Sequence, residues 1–178
     1  MTRRPVRILI TGSRSWTDQR AIAYAISDYL HSVGTSIGTA WPFPIVVHGA
    51  ARGADRLADA AARNWGWTPE PHPADWARYG RSAGYRRNAA MVALGADVCL
   101  AFIRDDSAGA SHTAALAEAA GIPTRRHRRH TGGVNNLVPR RDIPGKSDLH
   151  QVEDGPRHGS VDIAPFFHRR GRMGNRHD

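Results

Sequence analysis

Apolar positions along the first 124 residues alternate between two registers. Short, largely apolar runs at residues 6–11, 44–48 and 97–103 read as strands, and the last is nearly all apolar, as in a strand covered on both faces. Between them, apolar residues recur three and four apart. Ile22, Ala25, Ile26, Tyr29, Leu30 and Val33 define one helix face, with Asp18 as its N-cap. Leu57, Ala58, Ala61, Ala62 and Trp65 define a second over residues 54–65, stopped by Gly66. Residues 82–94 and 111–120 predict two more helices, closed by Gly95 and Gly121. Residues 68–72 predict a third strand, weakened by Pro69 and Pro71, and residues 122–124 begin a short fifth. Strands that alternate with helices predict an α/β fold: a Rossmann-like, doubly wound parallel sheet of about five strands with right-handed crossovers.

Beyond Arg125 the pattern fades, and composition changes with it. The 178-residue chain has a formal net charge of +9, of which +6 falls in residues 125–178. All five tryptophans lie before that point. The expected organisation is a nucleotide-binding domain over residues 1–125, followed by a disordered basic tail over residues 126–178. The single cysteine, Cys99, lies in an apolar run and reads as a small core hydrophobe. No apolar run approaches the ~18 residues that cross a bilayer. The N-terminal segment leads straight into a strand, so the expected compartment is the cytoplasm, with no membrane partner.

Ligands on parallel sheets sit beyond the carboxyl ends of the strands, so the loops that follow each strand carry the candidate chemistry. Gly12-Ser13-Arg14 offers backbone donors, a hydroxyl and a guanidinium. Residues 48–55 pass from His48 through Gly49 and Gly53 to Asp55 in the first helical turn. A glycine loop that opens a helix suits a phosphate, because unpaired N–H groups and the helix dipole favour an anion. Asp55 reads either as a helix cap or as an acceptor of a ribose hydroxyl, and His48 either as a ligand contact or as a core histidine. Asp75 and Trp76 suit a ribose and a stacked base. Arg86, Arg87 and Asn88 open the third helix with guanidinium groups shaped for phosphate, and Met91 one turn on places Arg87 on the inward face. Ser107, Gly109 and Ser111 make a second small-residue helix start. There is no Walker loop, no dinucleotide glycine fingerprint and no Cys/His spacing for zinc, and no metal site is expected.

These motifs, in this order, resemble the SLOG (SMF/DprA–LOG) Rossmannoid superfamily, and within it the YspA/cpYpsA-related branch. The resemblance covers roughly residues 5–125. It implies a nucleotide or nucleotide derivative as ligand, held at Gly12, Ser13, Arg14, His48, Gly49, Gly53, Asp55, Asp75, Trp76, Arg86, Arg87, Asn88, Ser107, Gly109 and Ser111. No other cofactor is implied with certainty. Two relatives pull the function apart. The LOG phosphoribohydrolases carry Arg-Lys-x-x-Met, which residues 87–91 partly echo, and a Pro-Gly-Gly-x-Gly-Thr-x-x-Glu motif with a catalytic Glu. Here the corresponding helix has no Glu before Glu118. The DNA-processing protein A family, which binds single-stranded DNA, carries an Ala-Arg-Gly-Ile-Asp that residues 51–55 resemble.

The expectation is therefore a nucleotide-binding sensor or sequestering module. A nucleoside-monophosphate N-glycosidase is the first alternative, with Arg87, Asp55 and Asp75 as candidate catalytic residues. Single-stranded nucleic-acid binding is the second, and the basic tail suits nucleic acid or another acidic partner. A homo-oligomer is open too, and Trp41, Trp65 and Trp67 are the candidate apolar patch. Arg87→Ala is expected to remove ligand binding and leave the fold intact.

Overall fold

The computed structural model describes residues 4–131. Five strands form one parallel sheet: β1 (Arg7–Gly12), β2 (Ile45–His48), β3 (Glu70–Pro71), β4 (Val98–Arg104) and β5 (Thr124–Arg129), in the order β3-β2-β1-β4-β5. Helices α1 (Gln19–Ser32) and α2 (Ala54–Asn64) pack on one face. On the other lie α4 (Ala83–Ala93) and α5 (Ala108–Ala119). A single turn, α3 (Trp76–Tyr79), and a 3-10 turn at Gly80–Ser82 precede α4. The doubly wound architecture explains the unbroken apolar runs. Ile8, Ile10, Leu100 and Phe102 point to the α1/α2 side, while Leu9, Cys99, Ala101 and Ile103 point to the α4/α5 side. The inner strands β1, β2 and β4 carry apolar residues at successive positions because both faces are covered there.

Asp18 caps α1 as expected, accepting the Ala21 N–H at 2.9 Å. Other details differ from the sequence reading. Val33 is the C-cap of α1 and is exposed, because the helix has already ended there. β3 shrinks to two residues, Glu70 and Pro71. α5 starts at Ala108, three residues early, because small residues carry the helix without an apolar period. The three tryptophans do not share a surface patch. Trp67 is buried, with Trp65 packed edge-on against it at 4.9 Å, while exposed Trp41 pairs with Phe43.

The largest difference lies at β5, which runs on to Arg129 although its sequence is Thr-Arg-Arg-His-Arg-Arg. Its alternation is one of charge partners. On the α1 side, Arg125 pairs with Asp28, His127 stacks on Phe102, and Arg129 pairs with Asp18. On the α5 side, Arg126 pairs with Glu118 and Arg128 with Asp106. An edge strand tolerates such side chains, because long arginine stems cover apolar surface while the heads reach carboxylates. The first six residues of the expected basic tail region are thus described, and residues 126–129 complete the sheet. The remainder of that region, residues 132–178, lies outside the described residues.

No helix among the described residues is long and apolar enough to cross a membrane.

Candidate functional site

β1 is the first strand laid down and lies between β2 and β4, so the loops after β1 and β4 diverge to opposite faces. A crevice opens at this switch point, as it does in other doubly wound sheets. It holds a cavity of about 480 Å³. Its floor comes from the end of β1 and the turn after it, one wall from Asp55 on α2, and another from Arg87, Asn88 and Met91 on α4. The start of α5 closes the far side.

The loops are placed by the protein's own packing. Ser13 Oγ accepts the Arg104 N–H at 2.7 Å and donates to the Arg104 carbonyl at 3.2 Å, which ties the β1 turn to the end of β4. Glycines 12, 49 and 53 answer to close approach of protein atoms. A Cβ at Gly12 would overlap Ala54 Cβ, and one at Gly49 would overlap the Arg87 guanidinium. Gly53 has φ +75°, and a Cβ there would strike the Ser13 carbonyl. Gly109 differs, since nothing lies within 4 Å of its added Cβ.

Arg87 is the hub. Its guanidinium donates to the carbonyls of Gly49 and His72, the latter at 3.0 Å, and its Nε donates to Asn88 Oδ1 at 2.8 Å. Asn88, which lines the cavity, thereby has its oxygen engaged. Burial lowers the Arg87 pKa, with Asp55 opposing the shift.

Asp55 is buried in the first turn of α2 and accepts the Ala51 N–H at 3.2 Å. Burial pushes its carboxyl up to about 6, against the pull of the Ala51 and Gly49 N–H groups and of Arg87 and Arg14. Its carboxylate therefore sits where the sequence places a phosphate, and the Ser13 carbonyl accepts the Ala54 N–H at 3.4 Å. The α2 N-terminus is filled by the protein itself. The α5 N-terminus is open: Ser107 makes no side-chain cap, and the first turn holds no acid. An anion in this cavity finds its free donors at α5.

Of the candidate residues, Gly12, Ser13, Arg14, Asp55, Trp76, Arg87, Asn88, Ser107 and Gly109 line this one cavity. Others do not reach it. His48 is buried and both its nitrogens are engaged: Nδ1 accepts the Ala50 N–H at 3.2 Å, so Nε2 carries the proton and donates to Asp59 at 3.1 Å. Burial lowers its pKa, which favours this neutral ring. Asp75 caps α3 through the Arg78 N–H and faces a separate surface cleft shared with Arg86, whose guanidinium stacks on Tyr79 at 4.8 Å. The Ser111 N–H bonds the Ser107 carbonyl inside α5. Gly53 lies beneath the turn, and Gly49 lines an adjoining cavity.

Sequence reasoning singled out neither Tyr85 nor Arg81, yet both line the cavity. The stripe Arg81, Gly84–Tyr85, Asn88, Met91 has helical spacing and points one way, a signal that inward Met91 already contained. Half-exposed Tyr85 packs edge-on against His112, and half-exposed Trp76 lies under Arg14 at 5.9 Å, so two aromatic rings flank the mouth.

Comparison with known proteins agrees with this architecture. A family model described as "YspA, cpYpsA-related SLOG family" matches residues 6–79. The chain is similar to the "Gene 61 protein" of Mycobacterium phage D29, with 44% identity over 126 residues, spanning 66% of this chain and 92% of the relative. No solved structure matches it.

Proposed function

The chain belongs to the YspA, cpYpsA-related SLOG family, and from that premise we propose that the cavity binds a nucleotide or nucleotide-derived ligand, with the protein acting as a sensor or sequestering module. One observation carries the reading. An uncapped helix start, an asparagine side chain, a buried carboxyl and two aromatic rings all line a single cavity of about 480 Å³, within the size range of small-molecule sites. The phosphate goes to the first turn of α5 at Ala108–Ala110, where N–H groups are free and no acid competes. The sugar faces Asp55 and Asn88, which offer an acceptor and a donor. Trp76 or Tyr85 stacks the base. Arg14 and Arg81 add positive charge at the mouth.

The α5 helix also favours binding over turnover. Glu118 lies near its C-terminal end, roughly 15 Å along the axis from Ser107, and pairs with Arg126. It cannot serve as the LOG-type acid, which must reach its proton within about 3 Å.

Asp55 favours a second reading, an N-glycosidase acting on nucleoside monophosphates. A buried carboxyl with a pKa of about 6 on a cavity wall is tuned for proton transfer near neutral pH. One experiment separates the two readings. The protein is incubated with nucleoside monophosphates and NAD, and the mixture is resolved by chromatography while binding is followed by calorimetry. Saturable binding with the nucleotide recovered intact supports the sensor. Free base that disappears in Asp55→Asn supports the hydrolase. Absence of any binding by calorimetry overturns both.

A further inference from the structure

Charge is segregated in this molecule. Arg4, Arg7, Arg63 and Arg104, and every arginine of β5, face a carboxylate within 4.0 Å. The arginines at the carboxyl edge of β1, β2 and β3 do not. Arg14, Arg52 and Arg87 have no ion-pair partner among the described residues, and all three line a second cavity of about 420 Å³. No carboxylate lines it. The first cavity, by contrast, contains Asp55.

The two cavities adjoin. Arg14, Ala51, Trp76 and Arg87 line both, and Arg14 over the Trp76 ring stands at the partition. Arg52 lines only the second, while Ser107 and Gly109 line only the first. The Gly49–Arg52 loop is held in a defined shape from beneath. His48 Nδ1 accepts the Ala50 N–H, Arg87 donates to the Gly49 carbonyl, and Ala50 sits at φ +54°, a left-handed conformation that a non-glycine residue rarely adopts. Strain of this kind persists where surrounding contacts over-determine a loop, and such loops concentrate at ligand sites.

We infer that this second cavity is an oxyanion subsite, separate from the α5 helix start, in which Arg14, Arg52 and Arg87 hold a phosphoryl group. Asp55 offsets part of the charge of Arg14 and Arg87 from the first cavity, but no carboxylate lines the second, and the planar forks of guanidinium groups match phosphate oxygens. The subsite stands on its own cations and needs no nucleotide next door. That one ligand spans both cavities, with an anionic group at each end, rests on the nucleotide reading given above.

The test uses the full chain and an arginine-directed dione, with modification read by peptide mass spectrometry. Inorganic pyrophosphate at about twice its Kd slows labelling of Arg14 and Arg52 about threefold, the 1 + [L]/Kd of simple protection. Arg20 and Arg56, exposed and also unpaired, keep their rates. Arg52→Gln removes the protection of Arg14, and because Arg52 is exposed and has no partner, this variant leaves the fold unchanged. Ser107→Ala leaves the protection in place. Equal slowing at all four arginines, or none at any, overturns the subsite, as does loss of protection in Ser107→Ala. A second arm with adenosine 5′-monophosphate reads the first cavity through Arg81. Protection of Arg81 by the nucleotide, with none of Arg52 by pyrophosphate, overturns the subsite and leaves the nucleotide reading standing. Protection of Arg52 by pyrophosphate, with none of Arg81 by the nucleotide, supports the subsite and counts against that reading.

Discussion

The Arg87 guanidinium occupies the space in which any residue but glycine at position 49 would carry its Cβ. Strand β2 and helix α4 are locked together at that point, and the lock also fixes Asn88 through Arg87 Nε. The pair is a fold contact and a site contact at once.

Gly49→Ala therefore forces Arg87 out. Overpacking of this kind costs about 1–3 kcal/mol, and the displaced guanidinium no longer shapes the cavity. The variant is expected to melt earlier and to lose the stabilisation that a nucleoside monophosphate confers. Arg87→Ala is expected to do the same. Two carbonyls lose a charged donor, at about 1.5–3 kcal/mol for such a hydrogen bond, so a lower melting temperature is expected where the sequence alone led to an unchanged fold. Gly109→Ala is the control. Its Cβ meets nothing within 4 Å, and alanine gains about 1 kcal/mol over glycine in a helix. It is expected to melt no earlier than the parent while binding more weakly. Thermal melts of the three variants, with and without nucleotide, check the series. A Gly49→Ala protein that melts and binds like the parent would falsify the Arg87 lock.

Asp55 sets a second expectation, in pH. Its folded pKa of about 6 lies above its ordinary value of 3.8, so the folded state binds the extra proton between those limits. Stability then falls as pH rises from about 4 to about 6. The cost above pH 6 is of order 2–3 kcal/mol at most, since a tenfold change in proton affinity is worth about 1.4 kcal/mol. Asp55→Asn is expected to be more stable than the parent at pH 7.5 and equal to it near pH 4. Glu70 works the other way. Arg7 holds its carboxyl down to about 2, so its contribution is present above about pH 4.5 and is lost as pH falls toward 2. Denaturant titrations of parent and Asp55→Asn across this range check the sign, and parallel curves would remove Asp55 from the account.

Most of the sheet was legible in the sequence, because a strand covered on both faces must be apolar at every position and such runs stand out. β5 was not. Its stabilising partners, Asp28, Asp18, Glu118 and Asp106, are far away in the chain or sit on other elements, and no local pattern announces them. The loops that build the cavity were legible for the same reason as the strands, since each begins where an apolar run ends. Individual roles were harder to read. Ser13, His48 and Asp75 have the side chains of ligand contacts, yet each is spent on the backbone or on a carboxylate nearby. Whether a polar side chain turns to ligand or to protein depends on which donors its neighbours leave unsatisfied, and that is a property of the assembled turn.

Two serines test this distinction directly. Ser13 Oγ bridges both backbone groups of Arg104; the Arg104 carbonyl also accepts the Ser107 N–H, so Ser13→Ala leaves the part-buried Arg104 N–H unpaired at about 1–3 kcal/mol. Nucleotide affinity, measured at a temperature where both proteins are folded, is expected to stay within about threefold, a difference of about 0.7 kcal/mol. Ser107 makes no cap within the protein, so Ser107→Ala is expected to leave the melt within about 0.5 kcal/mol and to weaken binding. The opposite assignment of effects would move the anion from α5 to the β1 turn.

The basic region offers the last expectation. A chain ended at residue 125 loses the β5 ladder from Arg126 to Arg129 and uncovers Phe102, on which His127 stacks. An apolar central strand then becomes an open edge, a template for aggregation. A chain ended after Thr131 keeps the ladder and the Thr131 N–H bond to Asp105. The shorter chain is expected to aggregate and the longer one to melt cooperatively, as checked by light scattering and calorimetry. The longer chain also isolates the tail. The arginines of β5 are engaged with carboxylates, so any nucleic-acid affinity of the full chain must come mainly from beyond residue 131 or from the unpaired arginines at the cavity mouth. Oligonucleotide titrations against salt decide between these. A steep salt slope in the full chain that flattens in the 1–131 chain assigns the phosphate contacts to the tail. An unchanged slope assigns them to Arg14, Arg52 and Arg81, and no binding by either chain removes nucleic acid as a partner.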